Sequence, residues 1–132
     1  MFQGFQEKII KIDDEISINV GTNFSSGPDI KKPTIVFNYG LVCNIAHWKY
    51  QIPFFHDLGY PCVYHDYRFH YGSSSTDSIE DLNFTNITKD MDTILSELQV
   101  EKAFHFGHSM GVNTTLDFAR AFPEKVQGMV LP

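Results

Sequence analysis

Ala103-Phe104-His105-Phe106-Gly107-His108-Ser109-Met110-Gly111-Val112 is the stretch of sequence on which the fold turns. Its first four residues read as a short inner strand of a parallel sheet, the kind whose two faces are both covered. From Val112 to Phe122 the sequence reads as a helix, and Pro123 stops it, because proline restricts the residue before it and has no amide proton to give. Between strand and helix stands a serine with a glycine two residues to either side. A sharp strand-to-helix corner forces its central residue into strained backbone geometry, which is tolerated only when the flanking residues two away are small. The pattern therefore predicts Ser109 at the apex of such a corner, its oxygen above the sheet edge, with Gly107 and Gly111 making room. The Met110 amide, at the start of the helix, would point to where an oxyanion forms, helped by the positive end of the helix dipole.

Strand and helix patterns alternate on the way back toward the start of the chain. Ile87, Met91, Ile94, Leu95 and Leu98 form one helical stripe, with Lys89, Asp90, Asp92 and Glu97 assigned to the wet face. Cys62-Val63-Tyr64-His65 is a second inner strand, followed by Asp66 and the loop Gly72-Ser73-Ser74-Ser75-Thr76. Trp48, Ile52, Phe55 and Leu58 recur at helical spacing up to Gly59, and Pro53 either kinks that helix or marks its start. Thr34-Ile35-Val36-Phe37 is a third inner strand, ending at Asn38-Tyr39-Gly40. Before it, Ile10 and Ile12, then Ile16, Ile18 and Val20, alternate around Asp13-Asp14-Glu15, which predicts an antiparallel hairpin. After Pro123, Val126 to Leu131 begins a further strand. Such alternation predicts parallel βαβ units, with helices on both faces of the sheet.

With these residues in place the chain resembles the α/β-hydrolase superfamily, from about Lys8 to its last residue. Gly107-His108-Ser109-Met110-Gly111 matches that family's nucleophile elbow, G-x-S-x-G. Tyr39-Gly40-Leu41 falls where the family has a His-Gly-x oxyanion turn, with Trp48 at a similar distance beyond. Asp66-Tyr67-Arg68-Phe69-His70-Tyr71-Gly72-Ser73 resembles the family's Asp-x-Arg-Gly-His-Gly-x-Ser loop, and residues 122–131 resemble its helix exit and following strand. Tyr39 stands where a His is usual, and Phe69 and Tyr71 where two glycines are. The resemblance implies an α/β fold with a mostly parallel, helix-covered sheet, a hairpin at its start, and one incomplete domain over residues 1–132. It further implies Ser109 as nucleophile and the Leu41 and Met110 amides as the oxyanion hole, acting on an ester or related acyl substrate. A serine at the elbow disfavours the epoxide hydrolases and dehalogenases of the family, which place a carboxylate there.

The resemblance also exposes what the sequence lacks. The family's chain order is nucleophile, acid, His, yet all six His of this chain, at 47, 56, 65, 70, 105 and 108, stand at or before the elbow. The sequence ends one strand past the elbow helix, at about half the family's usual length. The triad's acid and His, and any cap, are thus expected beyond Pro132, in a longer enzyme of which this is the first part. The alternative is an inactive truncated remnant or partner-binding half-domain. Its last strand would be an apolar edge, to be covered by a separately supplied C-terminal half or by self-association. His108 adjoins Ser109, but consecutive side chains at a strand end face opposite ways, so a packed His is expected there rather than a base.

Composition narrows the remaining classes. At 132 residues the chain has the size of one domain, and 42% hydrophobic residues with 14% aromatics support a packed core. Ten Lys and Arg against sixteen Asp and Glu give a net charge of −6, with no basic patch for a nucleic acid. No apolar run reaches the roughly 18 residues of a membrane span, and Met1–Glu7 lacks the features of a signal peptide. A cytoplasmic location follows as the expectation. Cys43 and Cys62 read as free thiols, Cys43 small and buried or half-buried. His65, Asp66 and His70 lack a specific metal spacing, so neither metal nor cofactor is expected. Asp66 is expected to accept nearby backbone amides, and His70 to shape the pocket or hydrogen-bond within its loop.

Overall fold

The computed structural model describes residues 2–25, 27–29, 31–40 and 43–132. The expected alternation is realised as strands β1 (Gln6–Lys11), β2 (Ser17–Thr22), β3 (Thr34–Asn38), β4 (Cys62–His65), β5 (Ala103–Gly107) and β6 (Val126–Val130). Helices α1 (Gln51–Asp57), α2 (Phe84–Glu97) and α3 (Met110–Ala121) join the parallel ones. The strands make one sheet in the order β1-β2-β4-β3-β5-β6. β1 and β2 are antiparallel to their neighbours, and β4, β3, β5 and β6 run parallel.

Local chemistry sets the first turn. Asp13 Oδ1 accepts the amides of Glu15 (2.9 Å) and Ile16 (2.8 Å), closing the hairpin so that Ile10 pairs with Ile18. Ile10, Ile16, Ile18 and Val20 are buried as the alternation requires. From β3 the chain moves one way along the sheet to β4, then back past β3 to β5 and on to β6. Because such crossovers are right-handed, α1 covers one face while α2 and α3 share the other. Phe37, Trp48, Phe55 and Phe106 pack ring against ring on the α1 side. Ile87, Met91, Ile94, Leu95 and Leu98 close the α2 side.

Two helices differ in detail from the sequence pattern. The single helix expected around Trp48 to Leu58 is a 3-10 turn over Ile45–Trp48 followed by α1. Pro53 is the third residue of α1, where a missing amide proton removes no intrahelical bond, so it marks a start and not a kink. Trp48 and Ile52 are buried, but Leu58, beyond the end of the helix, is 49% exposed. The other correction is Asp90, which the stripe placed on the wet face and which is only 3% exposed. The guanidinium of Arg68 reaches it from the loop after β4, Nε to Oδ2 at 2.7 Å and Nη2 to Oδ1 at 2.8 Å. Paired and bidentate, the carboxylate can enter a core that would otherwise exclude it.

Candidate active site

Neighbouring strands β3 and β5 leave the sheet at the point where the crossovers reverse direction. In open α/β sheets the crevice outside the carboxyl ends of such strands is where ligands bind. Two turns meet there, Tyr39-Gly40 after β3 and Gly107–Gly111 after β5.

Ser109 has φ 57° and ψ −121°, a conformation that side chains rarely adopt and that costs of order 1–3 kcal/mol. It precedes the first residue of α3, is exposed, and makes no capping bond with its side chain. The two flanking glycines are required by contact. A Cβ at Gly107 would stand 2.3 Å from the Gly111 carbonyl oxygen, and one at Gly111 would stand 2.2 Å from the Asn38 carbonyl oxygen. The expected corner is therefore present, with the expected reason for each glycine.

Gly40 brings the other turn against this corner. A Cβ there would lie 3.3 Å from Ser109 Cβ, 3.5 Å from Cys43 Sγ and 3.6 Å from the His108 carbonyl oxygen. The Cys43 amide donates to the Gly40 carbonyl at 3.1 Å, and the thiol is half-buried. Met110 is the first residue of α3, so its amide has no partner within the helix and belongs to the positive end of the dipole. Leu41, expected to give the second oxyanion amide, lies outside the described residues.

The histidines are committed elsewhere. The His108 ring stacks on His47 of the 3-10 turn, centroids 4.1 Å apart at 36°, and burial with the His108 charge lowers the pKa of His47. His65 Nε2 lies 3.0 Å from Asn38 Oδ1. Since the Asn38 amide nitrogen donates to Thr115 Oγ1, its oxygen is left as acceptor, which puts the His65 proton on Nε2. Burial holds His65 down to about 4, and burial with the His65 charge holds His105 down to about 3. His70 Nδ1 lies 3.1 Å from the Arg68 carbonyl. Among the described residues no hydrogen bond joins the Ser109 hydroxyl to another side chain.

Three features of the site had no signal in spacing. Asn38, named only as the place where the strand ends, is fully buried and ties β4 to α3 through its side chain while its carbonyl accepts the His108 amide at 3.3 Å. Asp66 accepts the Gly72 amide (3.2 Å), as expected, and also Asn19 (3.1 Å) and the Tyr39 hydroxyl (3.0 Å). Phe69 and Tyr71 have φ of 71° and 37°, so the loop keeps a left-handed backbone at the two positions where the resembled pattern has glycine.

The alpha/beta hydrolase fold family matches residues 33–131 of this chain, three quarters of its length. The chain belongs to the alpha/beta hydrolase fold family. Among its relatives is 3-oxoadipate enol-lactonase 2 of Acinetobacter baylyi, 29% identical over 113 residues, 86% of this chain and 41% of the relative. Epoxide hydrolase A of Mycobacterium tuberculosis is 30% identical over 79 residues, 60% of this chain and 24% of the relative. A Vigna radiata epoxide hydrolase structure superposes with a TM-score of 0.85 at 20% identity, over 98% of this chain and 39% of its own. These relatives are by name an enol-lactonase and epoxide hydrolases, and the chain spans less than half the length of each. Among the described residues no helix is long and apolar enough to cross a membrane.

Proposed function

We propose that this chain carries the nucleophile half of a serine hydrolase acting on a carboxylic ester, lactone or related acyl group. The single observation behind the reading is the backbone of Ser109, strained and exposed at the head of α3, with Gly40 packed against its Cβ. In this reading the Ser109 oxygen attacks the carbonyl carbon, and the negative oxygen so formed sits between the Met110 and Leu41 amides. A His would take the serine proton and pass it to the leaving group, held in the right tautomer by an acid. Neither is in the expected place in these 132 residues, and this reading has additional polypeptide supply both. The enol-lactonase relative supports acyl chemistry, and a serine at 109 sets this chain apart from the carboxylate nucleophile implied for epoxide hydrolases. In this reading residues 1–132 are a single incomplete domain of the hydrolase, which works in the cytoplasm without cofactor or metal.

A fluorophosphonate probe, which modifies activated serines, tests this. The 132-residue chain alone stays unlabelled, and Ser109 labels when the acid and His are supplied in an extended or added polypeptide. Ser109→Ala abolishes that labelling. Failure of Ser109 to label in the complete protein would overturn the proposal.

A second reading is favoured by β6, whose outer side has no described neighbour and which carries exposed Met129 and Val130, with Leu131 beyond. The chain is then an inactive half-domain that binds a partner or its own copy along that edge.

A further inference from the structure

Tyr67 grips Tyr39, the residue immediately before Gly40, at both ends. Its hydroxyl donates to the Tyr39 carbonyl at 2.7 Å, and its amide donates to the Tyr39 hydroxyl at 3.3 Å. That hydroxyl passes its own proton to Asp66 Oδ1, at 3.0 Å. The two rings meet edge to face, centroids 4.9 Å apart at 73°, and both are buried. The Tyr39 carbonyl held this way also touches the corner, since a Cβ at Gly111 would lie 3.0 Å from its oxygen. Burial pushes the Tyr67 phenol up, and Thr114 of α3 and Cys43 lie near enough to influence it as well. A single hydroxyl thus stands where the loop after β4, the turn after β3 and the helix behind Ser109 converge.

We infer that Tyr67 is a positioning residue that fixes Tyr39-Gly40 against Ser109, acting through its hydrogen bond to the Tyr39 peptide. This rests on the serine-hydrolase reading for its catalytic meaning. An oxyanion amide has to be in place before charge develops, because a donor that reorganises during the reaction loses its advantage. A peptide free to rotate at Tyr39 would swing everything after it. A buried phenol hydrogen-bonded to the Tyr39 carbonyl holds that peptide at one orientation.

The two thiols make the test independent of hydrolysis. Cys43, whose amide bonds the Gly40 carbonyl, is half-buried, while Cys62 lies in β4 and is 0% exposed, so Cys62 reports general loosening. Tyr67→Phe removes only the hydroxyl. Iodoacetamide should alkylate Cys43 about fivefold faster in this variant, the population shift that loss of one net hydrogen bond permits, while Cys62 stays protected. Tyr64→Phe removes another buried hydroxyl, the one donating to Glu7 at 2.6 Å at the hairpin side of the sheet, and should leave the Cys43 rate unchanged. An unchanged Cys43 rate in Tyr67→Phe, or Cys62 reacting in step with Cys43, would overturn the inference. In the complete protein, Ser109 phosphonylation should slow with Tyr67→Phe and not with Tyr64→Phe; an equal slowing also overturns it. Ser109 that never labels, beside a Cys43 freed by Tyr67→Phe, sinks the hydrolase reading and leaves the tether standing.

Discussion

The Cα of Gly111 rests against the main-chain carbonyl of Asn38, so closely that a methyl group at 111 would stand 2.2 Å from that oxygen. This contact lets α3 begin beside the end of β3, and it brings the turn after β3 within reach of Ser109. Asn38 adds a second constraint, since its side chain joins His65 of β4 to Thr115 of α3. One buried asparagine therefore holds three elements at the point where the two turns meet.

Gly111→Ala should consequently lower stability by about 3 kcal/mol, the upper part of the range for overpacking, because the obstacle is backbone and cannot rotate away. Gly40→Ala meets Ser109 Cβ at 3.3 Å, a contact relieved by a few tenths of an ångström, and should cost about 1 kcal/mol or less. Urea unfolding of the two variants checks the order. Equal costs would mean that the backbone contact at Gly111 is not what sets the corner.

Acid should unfold the protein through two histidines. Burial holds His65 at about 4 and His105 at about 3, both below the ordinary 6.5, so the unfolded chain binds protons more readily than the folded one. Their contribution is complete above pH 6.5 and is lost as pH falls toward those folded values. With both histidines protonated in the unfolded chain the loss is roughly 2–3 kcal/mol per pH unit. His105 is fully buried with neither ring nitrogen hydrogen-bonded, and its ring lies on Phe118. His105→Leu should then raise stability at neutral pH and flatten the decline between pH 6.5 and 4. Urea midpoints across that range test it, and an unchanged slope would show that His105 does not drive the loss.

The Arg68–Asp90 pair should behave as a buried ion pair. Side-chain exposures are 8% and 5%, and Arg68 also donates to the Asp81 carbonyl at 3.2 Å. Burial pushes the Asp90 carboxyl up, while Arg68 opposes that shift through its hydrogen bonds and charge. Asp90→Ala leaves a guanidinium buried without its partner and should cost about 3–5 kcal/mol. Replacing both residues with apolar ones of similar volume should recover most of that loss, and added salt should change neither result much. Thermal melts of the single and double variants separate these outcomes.

How much of this was legible in the sequence follows from the range of each interaction. The corner at Ser109 could be read because its causes are local: glycines two residues away, an apolar strand before and a helix after. The hairpin could be read because its apolar residues alternate on either side of Asp13-Asp14-Glu15; that Asp13 caps the turn came with the structure. Asp90 could not, because its partner lies 22 residues earlier in a loop whose path periodicity does not describe. Asn38 looks like any turn former until β4 and α3 are brought beside it. Phe69 and Tyr71 hide their left-handed backbone, since neither residue type announces it. Their loop is held by distributed bonds, such as Phe69 amide to Ser74 carbonyl at 2.9 Å and Ser73 hydroxyl to Asp66 carbonyl at 2.7 Å.

The edge at β6 yields the remaining prediction. Edge strands that stay single are guarded by charge, proline, a bulge or brevity, because unpaired amides and carbonyls template another strand. Val126-Gln127-Gly128-Met129-Val130 carries no charge, its one irregularity against β5 lies at Gln127 near its start, and beyond it Met129 and Val130 are 42% and 44% exposed. The −6 net charge opposes association only over the Debye length, roughly 10 Å at moderate salt, and weakens as salt is added. At micromolar concentration the 132-residue chain should therefore form dimers or larger species, more so at high salt. Met129→Lys with Val130→Lys places two like charges on the edge and should return the protein to a monomer without altering its circular dichroism. Light scattering decides between the outcomes: a wild-type monomer at every salt and concentration would mean that β6 is protected as it stands, and persistence of the oligomer in the double variant would locate the contact elsewhere.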